Sequence, residues 1–103
     1  MSKVWKITTN LTEEENKQLM SKMTEEEHEL MTTLELSLSV DVIEEETITS
    51  FVVCNELNLE KLKSVLINHD VKFTIDDTTE FFVSEEVNID DLSDEYIYEK
   101  LGI

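Results

Sequence analysis

The sequence contains no arginine, no alanine and no proline, and it has one glycine and one cysteine. Because Cys54 is the only cysteine, an internal disulfide is impossible, and nothing indicates an oxidising compartment. A phosphate-binding loop needs several glycines and a calcium loop usually needs one at its sharp turn, whereas this chain offers only Gly102. The chain is rich in Ile, Asn, Lys, Thr and Glu. This bias is typical of an AT-rich coding genome, such as those of many phages and low-GC bacteria.

Long hydrophobic runs are also missing. No apolar run approaches the roughly 18 residues that a transmembrane helix needs. Lys3 and Lys6 lie near the N-terminus, but Trp5–Asn10, "WKITTN", is not the apolar middle of a secretion signal. We therefore expect a cytoplasmic protein, in the host cytoplasm if a phage encodes it.

Positive charge is scarce. The chain has 25 acidic residues against eight lysines, which gives a net charge of -17. No lysine occurs between Lys22 and Lys61, or between Lys72 and Lys100. Such a charge opposes direct binding to nucleic acid or to an anionic membrane. Two interpretations remain open, namely that the acids keep a small protein soluble, or that they form a surface for a basic partner.

The net charge is comparable with that of DNA. A domain of this length spans about 33 Å, and duplex DNA of that length carries about 19 charges. The protein would resemble a phosphate backbone if its charge were concentrated on part of its surface.

The hydrophobic pattern predicts one α+β domain over residues 1–103. We expect strands over residues 4–10, 34–42, 47–54, 71–75 and 79–83, and helices from Thr12, from an N-cap at Asn58, and around 92–101 with Gly102 as C-cap. This order suits a split β-α-β arrangement of ferredoxin-like order, an antiparallel sheet with helices packed on one face. The alternating stretch from Leu34 to Val42 would expose Glu35, Ser37, Ser39 and Asp41 on the other face.

An acidic phrase occurs twice, as "TEEENKQLM" from Thr12 and as "TEEEHELM" from Thr24. Each copy fits a capping box, in which the threonine oxygen and the glutamate three residues later satisfy the first helical amides. Two short helices, or one helix that restarts near Thr24, both fit this spelling. The acids lack the alternating spacing of a calcium loop, so we predict no metal site.

The sequence carries no motif for catalysis. A cysteine nucleophile would need Cys54 beside His28 or His69, and no local pattern supports either pairing. Cys54 lies in a predicted strand and is expected to be a small core residue. We therefore predict a protein that is not an enzyme, with no catalytic residue and no cofactor.

The segment from Asp76 to Glu99 mixes ten acids with Phe81, Phe82, Tyr96 and Tyr98. Strand alternation would place Phe81 and Phe82 on opposite sides, one in the core and one exposed. Carboxylates would steer a basic partner, and an exposed aromatic ring would anchor it. The predicted partner-binding residues are Glu35, Asp41, Glu44, Glu45, Glu46, Asp76, Asp77, Glu80, Glu85, Glu86, Asp90, Asp91, Asp94 and Glu95.

These features favour a non-catalytic acidic inhibitor of a basic, nucleic-acid-binding protein. In its sharpest form it is a DNA mimic from a phage or mobile element that blocks the partner's nucleic-acid groove. One alternative is an immunity or antitoxin protein that neutralises a basic nuclease toxin. Another is a structural or assembly protein whose acidity serves only solubility. The sequence leaves self-association open.

Overall fold

The computed structural model describes residues 2–36 and 39–102. The strands in these ranges are β1 (Ser2–Thr9), β2 (Ser39–Ile43), β3 (Ile48–Asn55) and β4 (Phe73–Asp77). The α-helices are α1 (Glu13–Lys22), α2 (Glu25–Leu36), α3 (Glu56–Asn68), α4 (Thr79–Phe82) and α5 (Asp94–Leu101), and a 3₁₀ helix spans Ile89–Asp91.

The four strands form one sheet in the order β2-β3-β1-β4, and each neighbouring pair is antiparallel. The central strands pair along their whole length, from Ser2 opposite Asn55 to Thr9 opposite Ile48. The predicted α+β class with an antiparallel sheet is therefore confirmed. The ferredoxin-like order stays an interpretation of this connectivity.

One face of the sheet, which we call the helical face, packs against α1, α2 and α3. Its central residues are Trp5 and Ile7 of β1 and Val52 and Cys54 of β3, all buried. Apolar residues of α1 and α3, together with Met23 just after α1, close over them: Leu19, Met23, Leu59, Leu62, Val65 and Leu66. The α3 residues have the helical spacing that the sequence predicts, so burial of this face holds α3 on the sheet.

The opposite face of the sheet is also covered, in contrast to the prediction of helices on one face. Val4, Phe51 and Val53 point to this side and pack with Phe82 and Ile97, which are 1% and 0% exposed. We call residues 78–102 the C-terminal layer, because α4, the 3₁₀ helix and α5 lie on this face. The layer forms because β1 and β3 carry apolar residues on both sides, and the second side needs cover.

The predicted strand over residues 34–42 is wrong in its first part. Residues 34–36 belong to α2, residues 37 and 38 lie outside the described ranges, and the strand begins at Ser39. Leu30, Met31 and Leu34 also have helical spacing, and a helix that has started at Thr24 extends at little cost. The face is reversed as well. Val40 packs under the C-terminal layer, while the exposed Asp41 lies opposite Ser50 on the helical face.

Two predicted boundaries are also wrong. Asn55, not Asn58, caps α3, because the Asn55 side chain accepts a hydrogen bond from the Asn58 amide at 2.8 Å. Thr79–Val83 is not a strand, since α4 occupies Thr79–Phe82. β4 extends to Asp77, and the chain leaves the sheet at Thr78.

The other predicted helix caps, at Thr12, Thr24 and Gly102, are confirmed. Thr12 with Glu15, and Thr24 with Glu27, each form both hydrogen bonds of a capping box. The two copies of the acidic phrase therefore start two separate helices. Gly102 ends α5 with a left-handed backbone (φ 76°), which glycine adopts without steric cost.

Candidate protein-binding surface

The acidic side chains lie on the outside of the molecule. Every described acidic side chain except Glu27 is exposed. Few of them have a cationic neighbour. Among the described residues the lysine ion pairs are Lys3 with Glu56 and Asp77, Lys17 with Glu13, and Lys63 with Glu60. Most of the negative charge is therefore uncompensated.

The structure divides the predicted partner-binding residues into groups. The largest group lies at the end of β4 and in the C-terminal layer: Asp76, Asp77, Glu80, Glu85, Glu86, Asp90, Asp91, Asp94 and Glu95. No ion pair of the described chain involves the acids from Glu80 to Glu95. We call the nine predicted residues from Asp76 to Glu95 the C-terminal acids.

The remaining predicted acids lie elsewhere. Glu44, Glu45 and Glu46 connect β2 to β3 at the end of the sheet where Thr9 meets Ile48, whereas Asp77 lies opposite Trp5, towards the other end. Glu46 lines a surface crevice with Glu15. Asp41 lies on the helical face, and the side chain of Glu35 is outside the described set. The predicted residues that the structure describes therefore lie on several separate parts of the surface.

Two adjacent phenylalanines give the C-terminal layer a buried anchor and an exposed ring. Phe82 packs edge-on against Phe51 of the sheet, with ring centroids 5.5 Å apart. Phe81 is 53% exposed and stands edge-on to Phe82 at 4.9 Å. The Lys100 ammonium lies 5.4 Å from the centre of the Phe81 ring. One ring is core and one is exposed, as predicted, although the segment is helical.

Hydrogen bonds at the end of β4 turn the chain into this layer. The Asp77 carboxylate accepts from both the amide and the hydroxyl of Thr79, at 3.0 and 2.6 Å. These two bonds, with a smaller contribution from Lys3, lower the pKa of Asp77. The Val4 amide donates to the Thr79 hydroxyl at 3.0 Å, and the Thr78 hydroxyl donates to the Val4 carbonyl at 2.9 Å. Asp77 is therefore a positioning residue for α4.

Sequence reasoning missed the contact between Glu27 and His69. The His69 Nε2 atom lies 3.1 Å from a Glu27 carboxylate oxygen and joins the end of α3 to the start of α2. The two residues are 42 positions apart. Glu27 is already accounted for by the capping box with Thr24, and no sequence pattern near His69 points to α2, so no local signal could have paired them. Lys100 over Phe81 was missed for the same reason.

The surroundings of Cys54 make its thiol a poor nucleophile. The thiol is buried on the helical face, and desolvation raises its pKa to about 11. At neutral pH it is therefore a protonated core residue, as the sequence predicts. In the described ranges, no group of three or more His, Cys, Asp or Glu side chains is placed to hold a metal ion.

A cavity of about 160 Å³ lies between the helical face and α1, α2 and α3, with Met20, Met23, Met31 and Asp41 in its wall. It is smaller than the roughly 300 Å³ at which pockets for drug-sized ligands begin.

Among the described helices, none has the length and apolar character needed to cross a bilayer.

The chain matches no protein-family model, no curated protein and no solved structure.

Proposed function

We propose that this protein is a non-catalytic binding protein that docks the C-terminal acids on a basic, nucleic-acid-binding protein. The observation that supports this most is the coincidence of two features in one layer. The carboxylates from Glu80 to Glu95 are exposed and make no ion pair within the described chain. The same layer presents Phe81 to solvent, and a half-exposed aromatic ring is a common interface anchor.

The sharpest form of the proposal is a DNA mimic. The longest dimension of the molecule is 41 Å, and duplex DNA of that length carries about 24 charges. The protein carries a net charge of -17 over the same length. Its charge per unit length is therefore of the same order as that of DNA. A cleft that binds phosphates would attract this surface for the same reason.

The proposed mechanism is occupation of the partner's phosphate-binding groove. Long-range attraction brings the acidic surface to the basic groove, and Phe81 adds an apolar contact once the surfaces meet. The AT-rich character of the composition favours a phage or mobile element as the source, and the host cytoplasm as the place of action. The target would then be a host protein that binds DNA or RNA.

The first experiment identifies and characterises the partner. The protein is immobilised, exposed to a lysate of its native host and eluted with a salt gradient, and the eluted proteins are identified by mass spectrometry. The affinity of each purified candidate is then measured at low and high ionic strength. We expect affinity to fall steeply with salt, because screening shortens the reach of the charges from about 30 Å at 0.01 M to about 8 Å at 0.15 M.

Two charge-matched variants locate the interface. Glu85→Gln/Glu86→Gln/Asp90→Asn removes three charges from the C-terminal acids. The control, Glu25→Gln/Glu26→Gln/Glu29→Gln, removes three exposed charges from α2. We expect the first variant to bind the partner about tenfold more weakly or worse, and the control to change affinity much less.

A competition measurement tests the mimicry itself. Duplex DNA or RNA that the partner recognises should displace the protein, because both occupy one groove. Affinity that is the same at low and high salt would contradict the electrostatic mechanism. A ternary complex of partner, nucleic acid and this protein would contradict groove occupation.

A further inference from the structure

β4 is an edge strand of the sheet, and its backbone groups alternate in direction. The Asn10 amide donates to the Lys72 carbonyl at 3.0 Å, and the Thr78 amide donates to the Val4 carbonyl at 2.9 Å. Both bonds belong to the register in which Trp5 lies opposite Asp77. In an antiparallel ladder, alternate residues turn both the N–H and the C=O to the same neighbour. The even-numbered residues of β4 therefore face β1.

It follows that Phe73, Ile75 and Asp77 turn their backbone N–H and C=O groups away from the sheet. No hydrogen bond that the described residues make outside the sheet reaches these groups. Strand β4 contains no proline, and its one hydrogen-bonded neighbour is β1. The edge thus presents three donor and three acceptor groups in a row, which is a template for another strand.

The side chains of β4 divide between the two faces. Phe73 and Ile75 are half-buried against the core of the helical face. Thr74 and Asp76 are exposed on the other face, and Asp76 lies opposite Lys6 in register. An added strand would therefore meet apolar side chains on one face and a hydroxyl and a carboxylate on the other.

We propose that the outer edge of β4 accepts an extended basic segment of the partner as a fifth, antiparallel strand. Apolar residues of that segment lie beside Phe73 and Ile75, and its lysines or arginines lie beside Thr74 and Asp76. This inference rests on the proposed function in one respect, namely that the partner is basic. It adds a defined recognition mode, because backbone pairing supplies affinity and alternate side chains supply specificity.

Charge selects this occupant over a second copy of the chain. Two copies would bring net charges of -17 together along a short edge. Asp76 and Asp77 lie on that edge, and charged residues on edge strands oppose self-pairing. On the face that carries Thr74, the Asp76 carboxylate attracts a strand with lysine or arginine at alternate positions.

The geometry fixes which backbone groups of the bound segment are used. Residues directly opposite one another point to the same face of a sheet. The bound residues opposite Phe73 and Ile75 are apolar, and they must turn their N–H and C=O groups towards β4. The basic residues opposite Thr74 and Asp76 turn theirs away. Apolar and basic positions therefore differ in their backbone role as well as in their side chains.

The probe is the peptide Lys-Val-Lys-Val-Lys-Val-Lys, titrated into the whole protein while backbone amide exchange is followed by NMR. In the free protein we expect the Thr74 and Asp76 amides to exchange slowly and the Phe73 and Ile75 amides to exchange fast. Bound peptide should protect Phe73 and Ile75 and leave Thr74 and Asp76 protected. Absence of binding, or binding without protection of Phe73 and Ile75, would overturn the proposal.

Two methylated peptides provide the matched control, since N-methylation removes backbone donors and retains every charge. Methylation of the valine nitrogens should weaken binding by about tenfold or more, because donors to β4 are lost. Methylation of the backbone nitrogens of the internal lysines should leave affinity nearly unchanged, because these N–H groups point away from β4. Equal weakening in both peptides would contradict the strand arrangement. Partner capture that depends on the C-terminal acids would survive that result, so failure here is distinguishable from failure of the proposed function.

Discussion

Glu27 illustrates how one side chain can serve two elements. Its carboxylate accepts a hydrogen bond from the Thr24 amide at 2.8 Å, which caps α2. The same carboxylate lies 3.1 Å from Nε2 of His69 at the end of α3. The hydrogen bond from the Thr24 backbone, followed by that from His69, lowers the pKa of Glu27 below its ordinary value of 4.5. A carboxyl whose pKa is lower in the folded state stabilises that state when it is ionised.

The sign of this effect predicts a pH dependence. The stabilisation by Glu27 is present above the unfolded-state pKa and is lost as the pH falls through the lower folded-state pKa. We expect Glu27→Gln to lower the free energy of unfolding at neutral pH, and the gap from wild type to narrow at about pH 3, where carboxyls become protonated. Urea denaturation at both pH values measures the two gaps.

Glu25→Gln is the control for this prediction. Glu25 also lies in the first turn of α2, but it is exposed and has no hydrogen bond to His69. We expect its substitution to change stability less at neutral pH. A Glu27→Gln gap of the same size at both pH values would show that the charge of Glu27 does not contribute.

At the scale of elements, the C-terminal layer depends on a few buried side chains. α4 has a single turn and α5 has eight residues, and helices of this length are marginal without tertiary contacts. Phe82 and Ile97 supply those contacts to the sheet, and the Tyr96 hydroxyl donates to the Phe82 carbonyl at 3.0 Å. The position of the C-terminal acids therefore depends on core packing.

Phe82→Ala and Phe81→Ala should separate stability from binding. Phe82 is 1% exposed, so its truncation should cost about 3–5 kcal/mol of unfolding free energy. Phe81 is 53% exposed, so its truncation should cost about 1 kcal/mol or less, through the lost ring and Lys100 contacts. Denaturant titration of both variants measures these losses.

The binding role of Phe81 is tested on the same pair. Phe81→Ala should remain folded and bind the identified partner more weakly, whereas a stability loss as large as that of Phe82→Ala would show that Phe81 is a core residue. Unchanged partner affinity in Phe81→Ala would remove it from the proposed interface.

At the scale of the whole molecule, the net charge of -17 acts against folding. The acids are exposed and outnumber the lysines by about three to one, so the compact state brings like charges together. The unfolded chain relieves part of this repulsion by expanding. The sheet and its two cores must therefore offset a cost that a neutral protein of this size does not have.

This repulsion predicts that salt stabilises the protein. Raising sodium chloride from about 0.01 M to about 0.15 M should increase the free energy of unfolding, because the Debye length falls from about 30 Å to about 8 Å. Urea titrations at the two concentrations provide the measurement. Chloride is suitable because sulfate also stabilises proteins by its exclusion from their surface.

The variant Glu25→Gln/Glu26→Gln/Glu29→Gln is the control for the salt effect. It carries three fewer charges, so its unfolding free energy should rise less with salt than that of the wild type. Stability that stays constant or falls with added salt would show that self-repulsion is not a significant cost.

The sequence by itself determined the features that depend on near neighbours and on composition. The two capping boxes, the buried stripe of α3, and the end of α5 at Gly102 all follow from residues within a few positions of each other. The net charge and the lysine-free stretches are likewise independent of the fold. The α+β class followed from the order of these local patterns.

Only the tertiary structure decided which residues meet across the chain. Alternation near Leu34 and near Thr79 predicted strands, but the cap at Thr24 and the Asp77–Thr79 bonds produced helices. The covered second face and the outward edge of β4 required the sheet register, and the Glu27–His69 contact required the packing of α2 beside α3. The physical reason is that local periodicity indicates which residues share one face of a helix or strand. The residues that pack against that face depend on strand order and on which side a distant helix packs.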